Sequence, residues 1–332
     1  MNENNKYYGL IYGQCIGDAL GARYEFLTSE ESVKKIKSDM KNNFLELLGG
    51  GFFKTEPGQI TDDSEMAIII LKNLVKYKKY SQKKIAKAYI NWFLSKPVDI
   101  GKTISRAINA RKLAKNKDEM IKNSKELNMT SLSNGVLMRC SPLAIYLKKA
   151  SDKKIKQIIR KECELTHPNP NIVSVSIIYI KAIINALKGL SKEKIYEKAI
   201  EDSKSNPNVY VILLDSKIRP EPTVAWINPE QVKFVNTDSL QFQGYFGVAL
   251  QNTFYELMNG KSFEDSLINI IKRGGDTDTN ACIAGALLGS YYGISKIPKK
   301  WINTIKNYNG SRHELNNTNK LEELIDSLVK LS

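Results

Sequence analysis

Apolar residues recur at intervals of three and four along most of the chain and alternate with polar ones almost nowhere. That is the period of helices with one buried face. Helices are predicted near 6–22, 29–38, 61–78, 81–95, 101–115, 117–126, 134–149, 151–166, 171–188, 191–202, 244–259, 262–273, 279–292, 298–307 and 319–330. Ser81 and Ser191 each precede an amphipathic stretch, where a serine oxygen can cap free amides. One segment, 204–243, breaks the period: it is β-branched and interrupted by Pro207, Pro220, Pro222 and Pro229. Two or three short strands or extended loops are expected there. It holds too few apolar residues for a core of its own, so it reads as an insertion on a helical body. The predicted fold is all-α, a single compact many-helix domain over 1–332 with one partly extended, proline-containing insertion.

Composition narrows the class further. Hydrophobic residues make up 42% and charged residues 26% of 332 positions, an ordinary globular balance with ample length for a core. Cys15, Cys140, Cys163 and Cys282 stand singly, without a C-x-x-C pair, so buried free thiols are expected rather than zinc or disulfides. No apolar run is read as reaching the ~18–20 residues of a membrane span, and the first ten residues lack signal-peptide architecture. A cytoplasmic monomer is expected. The net charge of +15 raises nucleic acid as a partner. The lysines are spread along helix-like phases, however, without the interleaved aromatics of a single-strand platform. Abundant Lys, Asn and Ile favour a compositional origin, with long-range attraction of an anionic substrate as a secondary effect.

Candidate chemistry gathers at loop-to-helix junctions. Thr61-Asp62-Asp63 and Gly274-Gly275-Asp276-Thr277-Asp278-Thr279 each head an apolar run. Such residues cap helices and complement the helix dipole; converging, the two clusters would instead make an oxygen-rich site for a hard divalent cation. Gly13, Gly17 and Gly21 form a small-residue stripe on the first helix, costing about 1 kcal/mol each relative to alanine and so needing a packing or functional reason. Glu25 lies two helical turns beyond Asp18, which would put both carboxylates on one face. It reads as a solvated end residue, a ligand or an acid/base group. Asp99 and Gly101 sit in a loop after Pro97, either as a helix cap or where substrate meets backbone. Ser133-Asn134-Gly135 opens a helix whose free amides suit a phosphate or ribose; Arg139, one turn on, could pair with a buried acid. His167, one of two histidines, stands before Pro168 as a hydrogen-bonded structural residue or a site residue. No Ser/His/Asp or Cys/His arrangement and no phosphate-binding glycine loop is evident.

Taken in order, GQCIGDALGARYE (13–25), ITDDSEMA (60–67), PVDIGKT (97–103), SNGVLMRCSPLA (133–144), THPNP (166–170) and GGDTDTNACIAGALLGSYYG (274–293) resemble the ADP-ribosylglycohydrolase family. The resemblance implies an all-α fold with two Mg²⁺ or Mn²⁺ ions in a central cleft. It implies that Thr61, Asp62, Asp63, Asp276, Asp278 and Thr279 hold the metals and that Glu25 gates or activates beside them. Asp99 matches the aspartate of the D-x-G loop in the dinitrogenase-reductase type, and Gly101 its substrate-contacting glycine. Ser133, Asn134 and Gly135 match the loop that wraps the diphosphate and distal ribose; His167 lies near the adenosine side. Two departures stand out. Asn169 replaces a histidine often repeated in relatives, and the long 204–243 segment leads into Gly244-Tyr245-Phe246, where Tyr245 could line the cleft. The implied activity is hydrolysis of ADP-ribose from modified protein side chains, arginine first. The alternatives are ADP-ribose binding without turnover, or hydrolysis of serine-linked, nucleic-acid-linked or small-molecule ADP-ribose.

Overall fold

The computed structural model describes residues 4–220, 244–316 and 318–332. In chain order its helices are α1 (Asn5–Gly21), α2 (Ser29–Asp39), α3 (Asp62–Tyr77), α4 (Gln82–Leu94), α5 (Lys102–Ile108), α6 (Lys117–Leu127), α7 (Pro142–Tyr146), α8 (Asp152–Glu164) and α9 (Pro170–Leu187). They continue with α10 (Lys192–Ser203), α11 (Pro207–Asp215), α12 (Phe246–Asn259), α13 (Phe263–Lys272), α14 (Thr277–Tyr292), α15 (Lys299–Lys306), α16 (His313–Asn316) and α17 (Leu321–Val329). Among the described residues there is no sheet, only isolated bridges such as Ser133–Tyr245. The fold is all-α, as the periodicity predicts.

Small residues build its centre. Helices α1 and α14 are buried on nearly every side and cross antiparallel along a glycine seam. A Cβ added to Gly13 would stand 2.3 Å from Gly285 O, one on Gly17 2.0 Å from Ala281 O, and one on Gly21 2.4 Å from Asp278 Cα. The stripe is therefore a backbone-to-backbone contact, the reason that offsets the helix propensity lost at each glycine. Apolar helices surround this pair, with Tyr179 of α9 donating to Ile283 O at 2.8 Å.

Several boundaries differ from expectation. The predicted helix at 134–149 is a series of turns followed by the short α7, because Pro142 has no amide for the ladder and crowds the carbonyl four residues back. That carbonyl, Met138 O, accepts Gln14 Nε2 at 2.7 Å instead. The predicted 101–115 helix stops at Ile108. In the segment expected to be extended, 207–215 is helical: Asn206 Oδ1 accepts the Val209 amide (3.3 Å) and Pro207 sits in the first turn. The β-branched run masked that start signal; the remainder, 221–243, lies outside the described residues. Ser191 caps α10, whereas Ser81 makes no side-chain cap. Helix α9, at 18 residues and a mean hydropathy of 1.5, is long and apolar enough to cross a membrane by length and composition, contrary to the sequence reading. Here it packs inside the bundle, with 61% of it buried. All four cysteines are free and buried.

Candidate functional site

The glycine seam decides where the acids meet. It sets the C-terminal end of α1 beside the N-terminal end of α14, with Thr277 Oγ1 donating to Gly21 O at 2.8 Å. Glu25 follows in a turn pinned by two bonds: Phe26 N–H to Gly275 O (2.9 Å) and Gly275 N–H to Leu27 O (2.8 Å). One carboxylate oxygen from each of Glu25, Asp276 and Asp278 lies within 4.8 Å of the other two. The helical face expected to join Glu25 to Asp18 does not exist, since α1 ends at Gly21. Asp18 instead accepts the Thr61 amide (3.0 Å), Thr61 Oγ1 (2.9 Å) and the Ser64 amide (3.0 Å). It caps α3 from a neighbouring helix and so delivers Asp62 and Asp63 to the same end of the seam.

Capping fails as an account of the two acidic clusters. Thr61 and Asp276 hold the N-cap positions of α3 and α14, yet neither side chain caps its own helix. Asp276 Oδ2 accepts Asn134 Nδ2 at 2.7 Å, and the single proton of Thr61 Oγ1 lies between Asp18 (2.9 Å) and Asp63 (3.1 Å). Glu25, Asp62, Asp63 and Asp278 are buried. Among the described residues no Lys or Arg pairs with them, with Asp99 or with Asp276; the buried ion pairs lie elsewhere, at Arg139–Glu162, Arg273–Glu256 and Arg312–Glu65.

Crowding shows in the protonation of these groups. Burial, and then the charges of Asp278, Asp99 and Asp276, push the Glu25 carboxyl far above the usual carboxylate range. Asp62, Asp63 and Asp278 are raised well above it by burial first and neighbouring carboxylates second. Asp99 is pushed up to about 6 by burial, against the Ile100 amide that its Oδ1 accepts at 2.6 Å. Glu25 Oε2 and Asp63 Oδ1 are buried without a hydrogen-bond partner. Buried anionic oxygens are costly unless a countercharge meets them. A hard divalent cation with oxygen ligands fits this donor set, to which Thr61 and Thr279 add hydroxyls.

Glu25, Asp62, Asp99 and Asp276 line a cleft of about 380 Å³ together with Ser133, Asn134, Gly135 and His167, while Asp63 and Asp278 are buried outside its lining. A larger groove of about 780 Å³ runs outside α8 and α9, where Lys156, Arg160 and Ile177 replace the carboxylate cluster. Gly101 caps α5, and its amide donates to Asp62 Oδ2 at 3.3 Å. Its φ of −60° suits any residue, and a Cβ there would meet nothing within 4 Å. Gly135 is different: a Cβ would stand 2.9 Å from the His167 ring. That ring is buried and both nitrogens are engaged, Nδ1 with Thr166 Oγ1 and Nε2 with Ser133 Oγ, each at 2.7 Å. Arg139 Nη2 also donates to Thr166 Oγ1 (2.7 Å), so Arg139, Thr166, the imidazole and Ser133 form one hydrogen-bonded chain. Burial, with Arg139 nearby, holds the imidazole well below its usual range, so His167 is a neutral orienting group. Tyr245 stands behind the cleft: its backbone pairs with Ser133 and its ring packs against Phe246, while Gly244 does the lining.

Three supporting residues escaped the sequence reading. Glu162 takes Arg139 Nε at 2.9 Å; a glutamate beside Ile158, Ile159 and Cys163 on the apolar stripe of α8 was the available signal. Arg312 binds Glu65 and reaches Ser95 O and Lys96 O at 3.4 Å, tethering the loop that carries Asp99. Glu65 lies inside the ITDDSEMA stretch (60–67) but carried no role there, and Arg312 stands in no motif.

Comparison with known proteins decides the family, for residues 1–332 match the ADP-ribosylglycohydrolase model. The chain belongs to the ADP-ribosylglycohydrolase family. It is 32% identical over 305 residues to a protein of Acanthamoeba polyphaga mimivirus named, provisionally, an ADP-ribosyl glycohydrolase, covering 90% of this chain and 89% of that one. The ADP-ribosyl-[dinitrogen reductase] glycohydrolase of Rhodospirillum rubrum is 24% identical, covering 99% and 97%. An ADP-ribosylarginine hydrolase of Pseudomonas putida is 23% identical, covering 90% and 73%. A solved ADP-ribosylglycohydrolase-related protein complex shares the fold, with a TM-score of 0.71 at 22% identity over 99% of each chain. The chain is thus an ADP-ribosylglycohydrolase enzyme whose cleft carries the acidic cluster described above.

Proposed function

We propose that this ADP-ribosylglycohydrolase depends on two divalent cations, Mg²⁺ or Mn²⁺, and removes ADP-ribose from arginine side chains of modified proteins. The observation that carries the reading is the close approach of the Glu25, Asp276 and Asp278 carboxylates, with Glu25, Asp62 and Asp276 lining the cleft and Glu25 Oε2 and Asp63 Oδ1 buried without partners. Thr61, Asp62, Asp63, Asp276, Asp278 and Thr279 would hold the cations, which supply Lewis acidity beside the ribose when bound. The chain's own groups do the rest. The Ser133-Asn134-Gly135 loop, oriented by His167, binds the diphosphate and distal ribose, and Gly101 lets the ligand approach the backbone. Glu25, at the edge of the cluster, manages the proton as the glycosidic bond breaks.

Arginine is favoured as the acceptor by Asp99, a carboxylate in a Pro-Val-Asp-Ile-Gly loop that can meet a guanidinium through charge-assisted hydrogen bonds. The name of the Pseudomonas putida relative supports it. Incubating the enzyme with arginine- and serine-linked ADP-ribose, with Mg²⁺ and with EDTA, tests both parts. Release from arginine with Mg²⁺ alone is expected; preference for serine would overturn the acceptor assignment.

A further inference from the structure

The two most exposed aromatic side chains among the described residues stand together, and one of them, Phe26, lines the cleft. Phe26 is 37% and Phe52 69% exposed. Their ring centroids are 4.9 Å apart at 85°, and Phe53 completes the group at 5.1 Å from Phe52 and 89°. Leaving a phenylalanine in water forgoes the burial that ordinarily stabilises a fold, and exposed apolar clusters mark places where something binds. This cluster is held rigidly. Phe26 has a φ of +66°, an uncommon conformation outside glycine, and its amide bond to Gly275 O keeps it there. The loop carrying Phe52 and Phe53 closes on itself through reciprocal Gly50–Thr55 amide bonds of 2.6 and 3.0 Å. Arg23 clamps it to the turn before Glu25, donating to Gly49 O at 2.6 Å while pairing with Asp39. A Cβ on Gly51 would stand 2.4 Å from Ala22 O, so loop and turn lie backbone to backbone.

We propose that Phe26, Phe52 and Phe53 form the acceptor subsite, a stacking platform for the guanidinium of ADP-ribosylated arginine. The proposal rests on the arginine reading above. The acceptor belongs to a protein surface, so it must leave the cleft at its mouth while ADP-ribose fills the interior. Phe26 lines the cleft next to Glu25. A guanidinium is planar, weakly hydrated and stacks on aromatic faces. Here it would meet ring faces left open by the edge-to-face packing, with the carboxyl groups of Glu25, Asp99 and Asp276 lining the same cleft as hydrogen-bond acceptors. A serine linkage offers neither a plane nor a charge.

Leucine at 52 and 53 keeps apolar bulk and removes the ring. Phe52→Leu/Phe53→Leu should lower kcat/KM for ADP-ribosyl-arginine about tenfold, the scale of one cation–π contact, and Phe52→Trp should preserve or raise it. Inhibition by free ADP-ribose should not change in either variant. Undiminished cleavage by the leucine variant would overturn the platform. So would a raised inhibition constant for ADP-ribose, which would put part of the product on the rings. If wild type with Mg²⁺ releases nothing from arginine but cleaves the serine linkage, the acceptor assignment fails and the platform with it, before any variant is compared.

Discussion

Gly101 separates what the fold requires from what the ligand requires. Its backbone angles admit any residue and its surroundings are open, so Gly101→Ala should leave the melting temperature unchanged and raise KM or the ADP-ribose inhibition constant several-fold. Loss of stability without a change in binding would return Gly101 to a structural role. Glu25 is proposed to act in turnover. Glu25→Gln should cut kcat by about 100-fold or more, the usual scale of a lost acid/base group, and leave ADP-ribose inhibition within about tenfold; wild-type rates would remove it from the chemistry. Asp99→Asn asks a narrower question. Guanidinium recognition predicts impaired arginine cleavage with a serine-linked substrate largely spared; equal loss on both points to a role at the ribose.

Between helices, the seam of α1 and α14 links sequence to site most directly. Gly17→Ala would press a methyl to 2.0 Å from Ala281 O, and backbone cannot yield as a flexible side chain does. Overpacking costs typically about 1–3 kcal/mol, so a fall of several degrees in melting temperature is expected, with activity lost because the acids carried by the two helix ends separate. An unchanged melting temperature would mean that the helices do not meet there. The α1 side of this seam was legible in the sequence as a stripe of glycines four residues apart that needed a packing or functional reason, but its partner α14 was not. The acids at the helix starts were legible too, as two local clusters each heading an apolar run. What joins them was not. Asp18 caps a helix other than its own, Arg312 reaches Glu65 across most of the chain, and the turn that aims Glu25 depends on amide bonds to Gly275 and Leu27. Spacing along one helix carries no such information, which is why it misplaced Glu25 beside Asp18. Helix α11 was misread because β-branched residues outweighed the Asn206-Pro207 start signal.

Across the whole molecule, a basic chain of net charge +15 surrounds an acidic cleft, an arrangement that admits a cation locally while drawing an anionic substrate from a distance. Without metal, buried carboxyls in the folded state stay protonated to higher pH than in the unfolded chain, where they titrate near about 4; Asp99 is raised to about 6 and Asp18 to about 7. The folded state then holds more protons than the unfolded one, so stability in EDTA should fall as pH rises through that window. A cation competes with those protons, so its stabilising effect should grow with pH. Melting scans at about pH 5 and about pH 7.5, each with EDTA and with Mg²⁺, should show the larger Mg²⁺-induced rise at the higher pH. An equal shift at both, or none, would disconnect the acidic cluster from metal.

The most direct test of the central claim follows ADP-ribose release from ADP-ribosyl-arginine by chelated wild-type enzyme, before and after Mg²⁺ or Mn²⁺ is restored, with Asp278→Asn in parallel. The account predicts no release in EDTA, recovery on adding the cation, and neither release nor tight cation binding in the folded Asp278→Asn protein. Full release in excess chelator would contradict it.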